Sequence, residues 1–534
     1  MCGGTGEKEP VPATLLTIDL RRRFGHRMKP NRFSDHVCRT RIAACVTHQY
    51  PVPDQAGVYR DLDILGAALE AEVQVFHSAI SDPEPLDEEL RSRVGRGFFV
   101  PPLRGIHRND LDYFRAVEPE RTEALLSTLA VVAGKSVDAL LDMFAVPAAF
   151  SYARWMRGWG ARYVHSWYLY EQSFNALVAA HLLGIPRGIT LYGLGDGVMF
   201  AGLLEHHVRT ADVVVAGTEA LRDEIEERFG PSVARRTVLH GAVHDGEPAP
   251  VRAIRGVLRS VPQSRVSLGP QAAFVRGSVP RRTARAAPRP LLVLGAERTG
   301  SNMLTGMLSS RRDVLCAGEL FNPRFIRDGL VPWRSGKAES LPELDALRRS
   351  DPGAFLERLF AEGAARGDVA TGFKLLYFHG VIDDRIVDWL FAEPTLCVIH
   401  LRRRARLLRW VSHSRAAESG SWYADKRTKS AKPPPVELDL VETLTDFSMI
   451  EIMEDRYAAT FSGHSGVDMD YEDAAADVKR TSRLLGEALG VDLGRLKVRS
   501  AKQGRDDLAG SVANLDSLRA AVRGTRFAPH FGDQ

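Results

Sequence analysis

Apolar residues along this chain fall in short runs, each followed by a polar loop and then by apolar positions three and four apart. Residues 42–47 (IAACVT) predict a buried strand, 48–53 (HQYPVP) a loop and 59–68 a helix. A second strand is predicted at 73–76, and further strands at 162–165, 188–192 and 211–216. Helices are predicted at 173–183 and at 218–229, the latter amphipathic and closed by Gly230. The alternation resumes at Leu291, where LLVL runs into Gly295-Ala296-Glu297-Arg298-Thr299-Gly300-Ser301 and then into a helical Met303-Leu304-x-x-Met307-Leu308. Strands alternating with helices at this spacing predict an α/β protein of two doubly wound, parallel-sheet modules.

The stretch 291–303 joins a buried strand to a glycine-bounded turn and a helix N-terminus. Such a loop points successive N–H groups into one concave space, and the helix dipole adds partial positive charge, which makes an anion cradle. Gly295 and Gly300 keep the G-x-x-x-x-G spacing of a Walker loop, but Ser301-Asn302 stands where that motif needs lysine followed by Ser or Thr. The missing lysine argues against a nucleoside triphosphatase, and Arg298 supplies positive charge from within the loop. An ordinary strand–turn–helix junction is the plain alternative.

Composition narrows the class. At 534 residues the chain is too long for one ordinary domain. Its 44% hydrophobic and 26% charged residues are those of a soluble globular protein. A formal net charge of +4 is too small to signal a nucleic-acid binder. The five cysteines include no C-x-x-C, so neither a disulfide framework nor a zinc site is expected, which fits a reducing cytoplasm. The start, MCGGTGEKEP, lacks the apolar core of a secretory signal, and no apolar run reaches bilayer length. A cytoplasmic protein is expected, with room for peripheral contact with an acceptor held at a membrane face. Residues 1–40 read as an irregular basic lead-in, 41–248 as the first module, 249–289 as an Arg/Pro-rich linker and 290–534 as the second module. The linker reading rests on nine arginines and no acidic residue within 251–290.

The first module resembles the N-terminal, acceptor-side half of GT-B glycosyltransferases of the GT4 type. The matching words are HQYPVPDQAGVYRDLDIL, HSWYLYEQSFNALVAAHLLGIPRGITLYGLGD and VVVAGTEALRDEIEERFG, leading to VLHGAVHDG. The family's donor-binding half, with its paired glutamates spaced E-x7-E, does not follow. Glu219 and Glu227 have that spacing, but on a Glu-rich surface helix in the wrong half, which makes it coincidence. The resemblance therefore implies a Rossmann-like half-domain that binds acceptor or acts with a partner, without sugar transfer of its own.

The second module resembles the bacterial carbohydrate sulfotransferases, Stf0-like and NodH-like enzymes that use 3′-phosphoadenosine 5′-phosphosulfate (PAPS). Six blocks match in order: LGAERTGSNML, VLCAGELFNP, GFKLLYFH, VIHLRRRARLLRWVSHSRAAESGSW, DYEDA and KQGRDDLAGSVANLDSLRAAVRGTRFAPHF. The resemblance implies a P-loop-like sulfotransferase domain. It assigns the 5′-phosphosulfate to Arg298, Thr299, Gly300, Ser301 and Asn302, with helix capping as a second reading of Ser301. Arg404 and Ser412 keep the family's Arg-x7-Ser spacing for the 3′-phosphate, with Arg403 as helper; Ala405 departs from the usual acidic residue or Asn. Lys502 and Gln503 match a late loop that closes over the nucleotide. Glu319 is the expected base and His379 its rival; Lys374 either contacts sulfate or pairs with a carboxylate. Tyr471-Glu472-Asp473 reads as structural.

The expectation is PAPS-dependent O-sulfation of a carbohydrate or glycolipid hydroxyl, with no metal and no nucleic acid, and with homo-oligomerisation left open. A P-loop-like kinase and a non-catalytic nucleotide-binding scaffold are the alternatives.

Overall fold

The computed structural model describes residues 40–194, 201–260, 288–322, 341–419, 434–498 and 507–532. Strands of its two large sheets are numbered here in chain order. The first sheet holds β1 (Arg41–Cys45), β2 (Glu72–His77), β3 (Phe98–Phe99), β4 (Tyr163–Trp167), β5 (Arg187–Leu191), β6 (Val213–Ala216) and β7 (Thr237–Leu239). Their order is β3-β2-β1-β4-β5-β6-β7, parallel throughout. Two crossovers run one way from β1 and the rest run the other, which is a doubly wound sheet.

The helices of this half include α1 (Ala56–Leu69), α2 (Arg104–Val117), α3 (Ala145–Trp159), α4 (Glu171–Leu183), α5 (Glu219–Phe229) and α6 (Ala249–Ser260). Thr218 caps α5 through its hydroxyl, which accepts from Leu221 N at 3.1 Å. The sequence reading placed α6 within a linker. Instead, Val251 and Ile254 bury one face of this helix against Leu65, Tyr163, Val213 and Val215. Its arginines stay at the rim, where Arg255 Nη2 donates to the Ala68 carbonyl at 2.6 Å. The remainder of the expected linker up to 287 lies outside the described residues.

The second sheet holds β8 (Arg289–Gly295), β9 (Val314–Ala317), β10 (Ala370–Leu376), β11 (Cys397–Arg402) and β12 (Ser465–Asp470), in the order β9-β10-β8-β11-β12 and again parallel. Side chains of β8 alternate between two cores, as strand pleating requires. Leu292 and Leu294 join Phe355, Phe373 and Leu375, while Leu291 and Val293 join Leu304, Met307 and Ile399. The chain reverses its winding direction beside β8, which opens a crevice at that strand's carboxyl end.

The two sheets are more than tethered. Helix α2, beyond the end of β3, packs on α8 (Tyr377–Ile382), which continues directly from β10. Asn109 of α2 donates its buried amide to the Val381 carbonyl of α8 at 2.5 Å. Residues 79–80, beyond the end of β2, contact α10 (Leu440–Phe461). Val46, Tyr50, Phe76 and Phe99 of the first half share one continuous core with Leu407, Val411, Phe447, Phe527 and Phe531 of the second. The carboxyl ends of both sheets thus face each other across a common junction.

Candidate active site

The site starts from the turn between β8 and α7 (Ser301–Leu308). Arg298 and Gly300 both take left-handed backbone, φ +62° and +82°. That conformation is free for glycine and costs a non-glycine residue of order 1–3 kcal/mol. Gly300 is required for a second reason, since a Cβ there would fall inside the Tyr471 ring. At Gly295 a Cβ would sit 2.6 Å from the Leu401 carbonyl oxygen. The buried Thr299 hydroxyl donates to the Ala296 carbonyl at 2.8 Å and locks the turn. Gly300, and not Ser301, is the N-cap of α7, with no side-chain cap bond. The buried Ser301 is the first helical residue, so the capping reading of Ser301 is corrected.

A second segment reaches this turn from β11 and α9 (Arg406–Ser419). Arg298 Nε donates to Ser412 Oγ at 2.9 Å, and Arg403 Nη1 donates to the Arg298 carbonyl at 2.8 Å. Arg403 also lies over the Tyr471 ring, 5.2 Å from its centroid. Arg404 turns the other way: its guanidinium donates to Asp470, the last residue of β12, at 2.9 Å and to Asp473 of α11 (Tyr471–Ala476) at 2.7 Å. The backbone N–H groups of Arg404 and Ala405 donate to the Glu472 carboxylate at 3.2 and 3.1 Å. Buried Arg409 spans from Asp446 to the Glu297 carbonyl and braces the turn from behind.

A third group comes from β10 and the end of β9. The Lys374 ammonium, buried, donates to Glu319 Oε1 at 2.8 Å and to Asn302 Oδ1 at 2.5 Å. Asn322 holds the other carboxylate oxygen, Oε2, at 3.0 Å. Burial pushes the Glu319 carboxyl up, but the Lys374 ammonium outweighs it and holds the group below its usual range. Burial lowers Lys374 against the pull of Glu319. His379, at the start of α8, is buried, and neither ring nitrogen has a hydrogen-bond partner among the described residues. Burial lowers its pKa to about 4, with Glu319 opposing.

Arg298, Thr299, Gly300, Ser301, Asn302, Ser412, Lys374 and Glu319 therefore meet at the carboxyl ends of β8, β9, β10 and β11. Arg404 stands beside this group with its guanidinium in two ion pairs, and Lys502 and Gln503 lie outside the described residues. Sequence reasoning missed Arg409 and the closeness of Tyr471. Arg403 was legible as a helper to Arg404, but not its inward turn to the Arg298 carbonyl. Glycine at 300 was the available signal for Tyr471, because a turn with no Cβ invites a neighbour. Among the described residues, no group of three or more His, Cys, Asp or Glu is placed to hold a metal ion, and no helix is long and apolar enough to cross a membrane.

No protein-family model and no curated protein matches the chain. Among solved structures, a sulfotransferase from Alicyclobacillus acidocaldarius is similar over 46% of this chain and 93% of its own, at 18% identity and a TM-score of 0.28. The sulfotransferase domain of the Synechococcus PCC 7002 olefin synthase is similar over 45% and 86%, at 16% identity and a TM-score of 0.24. A UDP-N-acetylglucosamine 2-epimerase from Rickettsia bellii is similar over 70% and 77%, at 10% identity and a TM-score of 0.23. The chemistry rests on the side chains.

Proposed function

We propose that the chain is a sulfotransferase that moves a sulfuryl group from PAPS to a hydroxyl of a carbohydrate or glycolipid acceptor. One observation carries the reading: Arg298 in the glycine-bounded turn touches Ser412 of the Arg-x7-Ser segment at 2.9 Å. The two segments read as gripping the 5′- and 3′-phosphates, 114 residues apart in sequence, touch at this contact, which supports a ligand with phosphate groups at both ends of a nucleoside.

In this reading the turn N–H groups and Arg298 hold the 5′-phosphosulfate at the N-terminus of α7. Ser412 and Arg403 face the 3′-phosphate. Arg404 joins them only by exchanging its carboxylates for phosphate. The acceptor oxygen attacks sulfur, the bond from sulfur to the bridging oxygen breaks, and adenosine 3′,5′-bisphosphate leaves. Lys374, next to Asn302 at the start of α7, neutralises charge that builds on the bridging oxygen. As Lys374 turns from Glu319 toward that oxygen, the carboxylate regains basicity and takes the acceptor proton. His379 is the rival base, because burial keeps it neutral and among the described residues its ring has no hydrogen-bond partner.

Lys374 also gives the second reading, a P-loop-like kinase, a lysine that the turn itself lacks. Titration calorimetry with adenosine 3′,5′-bisphosphate and with ATP separates the two. Tighter binding of the bisphosphate by tenfold or more is expected; preference for ATP favours the kinase. Labelled PAPS incubated with sugar and glycolipid acceptors then tests turnover, and no transfer to any acceptor leaves the scaffold reading.

A further inference from the structure

The carboxyl edge of the first sheet carries a cluster that this reaction does not use. Tyr168 and Tyr170 follow β4, Tyr192 follows β5 and His240 follows β7. Tyr168 and Tyr170 stack with centroids 5.6 Å apart; Tyr168 and Tyr192 lie 5.4 Å apart, and Tyr192 meets the His240 ring at 5.8 Å. Tyr170 and Tyr192 are 62% and 44% exposed, large rings left facing solvent. Gly217, at the end of β6, makes room for this layout, since a Cβ there would press on the Tyr192 ring at 2.8 Å. Tyr168 takes left-handed backbone, φ +62°, which a non-glycine residue adopts only when its surroundings impose it.

One carboxylate sits among the rings. Asp61 of α1 accepts from His240 Nε2 at 2.7 Å and from the Tyr192 hydroxyl at 3.4 Å. Both bonds fall on Oδ2, and among the described residues Oδ1 has no hydrogen-bond partner, which leaves it for a hydroxyl donor. No lysine or arginine enters the cluster contacts just described, and the carboxylate repels phosphate. A flat, uncharged ring with apolar faces and hydroxyl edges suits this surface; a nucleotide does not.

We propose that Tyr168, Tyr192, Asp61 and His240 form a binding site for a neutral pyranose. The ring stacks on the exposed tyrosine faces, and a hydroxyl donates to Asp61 Oδ1. The site lies at the carboxyl ends of β4, β5 and β7, on the other flank of the sheet from the α2–α8 contact. As the sugar-recognising part of the acceptor site this rests on the sulfotransferase reading; as a sugar site it stands alone.

The test is saturation-transfer NMR on the full chain, with no nucleotide added, using methyl glycosides of glucose, galactose, mannose and N-acetylglucosamine and the matching disaccharides. At least one is expected to bind, and Tyr192→Ala and Asp61→Asn are expected to weaken it tenfold or more. Tyr192→Phe, which keeps the ring, is expected to weaken it threefold or less. Adenosine 3′,5′-bisphosphate binding by all three variants should stay within twofold of the parent, which also shows that they fold. Absence of binding by every sugar, or equal binding by parent and Tyr192→Ala, overturns the site. Saturation of the tyrosines by adenosine instead of the sugars also overturns it. Sugar binding without bisphosphate binding leaves this site standing and removes the sulfotransferase reading.

Discussion

Lys374 holds the carboxylate of Glu319 and the amide oxygen of Asn302 together, so its loss acts on two segments at once. Lys374→Met strips a mostly buried carboxylate of its cation. It is expected to raise the Glu319 pKa and to lower turnover with PAPS by at least a hundredfold, measured as kcat against a smaller change in KM. The three arginines that leave β11 diverge. Arg402 pairs with Asp468, Arg403 turns inward to the Arg298 carbonyl, and Arg404 turns outward to Asp470 and Asp473. Arg403→Ala is therefore expected to weaken adenosine 3′,5′-bisphosphate binding by about 1–3 kcal/mol, the scale of a lost charged hydrogen bond, and by more than Arg404→Ala does. Calorimetry on both variants checks the order, and a larger loss at Arg404 restores the spacing-based assignment. Burial keeps His379 neutral down to about pH 4, whereas an unfolded histidine takes a proton near pH 6.5. Between those values the unfolded state binds the extra proton, so stability contributed through His379 falls as pH drops. His379→Gln is expected to flatten the fall of Tm between pH 6.5 and 4.

At the scale of elements, the turn before α7 depends on glycine twice over, once for φ and once for the nearness of Tyr471. Gly300→Ala is expected to destabilise the fold by ~1–3 kcal/mol and to abolish bisphosphate binding. Adding Tyr471→Ala makes room for the methyl group but leaves the backbone strain, so partial recovery of binding is expected. No recovery would mean that Tyr471 acts on the ligand itself. Most elements were legible because apolar runs and caps mark them: the β8 turn stands where its glycines put it, and Thr218 and Gly230 bound α5 as read. Helix α6 was not legible as packed structure, because arginine content hid a narrow apolar face of Val251 and Ile254. That Lys374 pairs with a carboxylate is one of the two sequence readings, but that the carboxylate is Glu319 was not legible. The pairing depends on β10 lying beside β8 and on the chain from β9 returning to the same edge, which is a matter of register across the sheet.

For the whole molecule, the sequence suggests two modules on a tether, and the structure joins them through one core. The reason is that apolar residues next to loops, such as Tyr50 and Leu438, carry no mark of which half they will pack against. One cooperative thermal transition is expected for the full chain, followed both by far-ultraviolet dichroism and by Trp fluorescence. Phe447→Ala, at the junction of the halves, is expected to lower that single transition by ~3–5 kcal/mol. Two separate transitions, with only one displaced, would show halves that fold independently. Asp110→Ala, which strips buried Arg154 of the carboxylate 2.6 Å away, should lower the same transition by ~3–5 kcal/mol.

Phe527 and Phe531 close the core around Tyr50, Phe76 and Phe99, and Gly95 leaves the space that Arg526 and Phe527 fill. During synthesis those two phenylalanines leave the ribosome long after the first sheet is complete. At a few to some twenty residues per second, the first sheet waits many seconds with its apolar face uncovered. Nascent chains stalled before Phe527 and Phe531 emerge should accordingly engage chaperones and resist release in native form, whereas chains in which both have cleared the ribosome should fold without them.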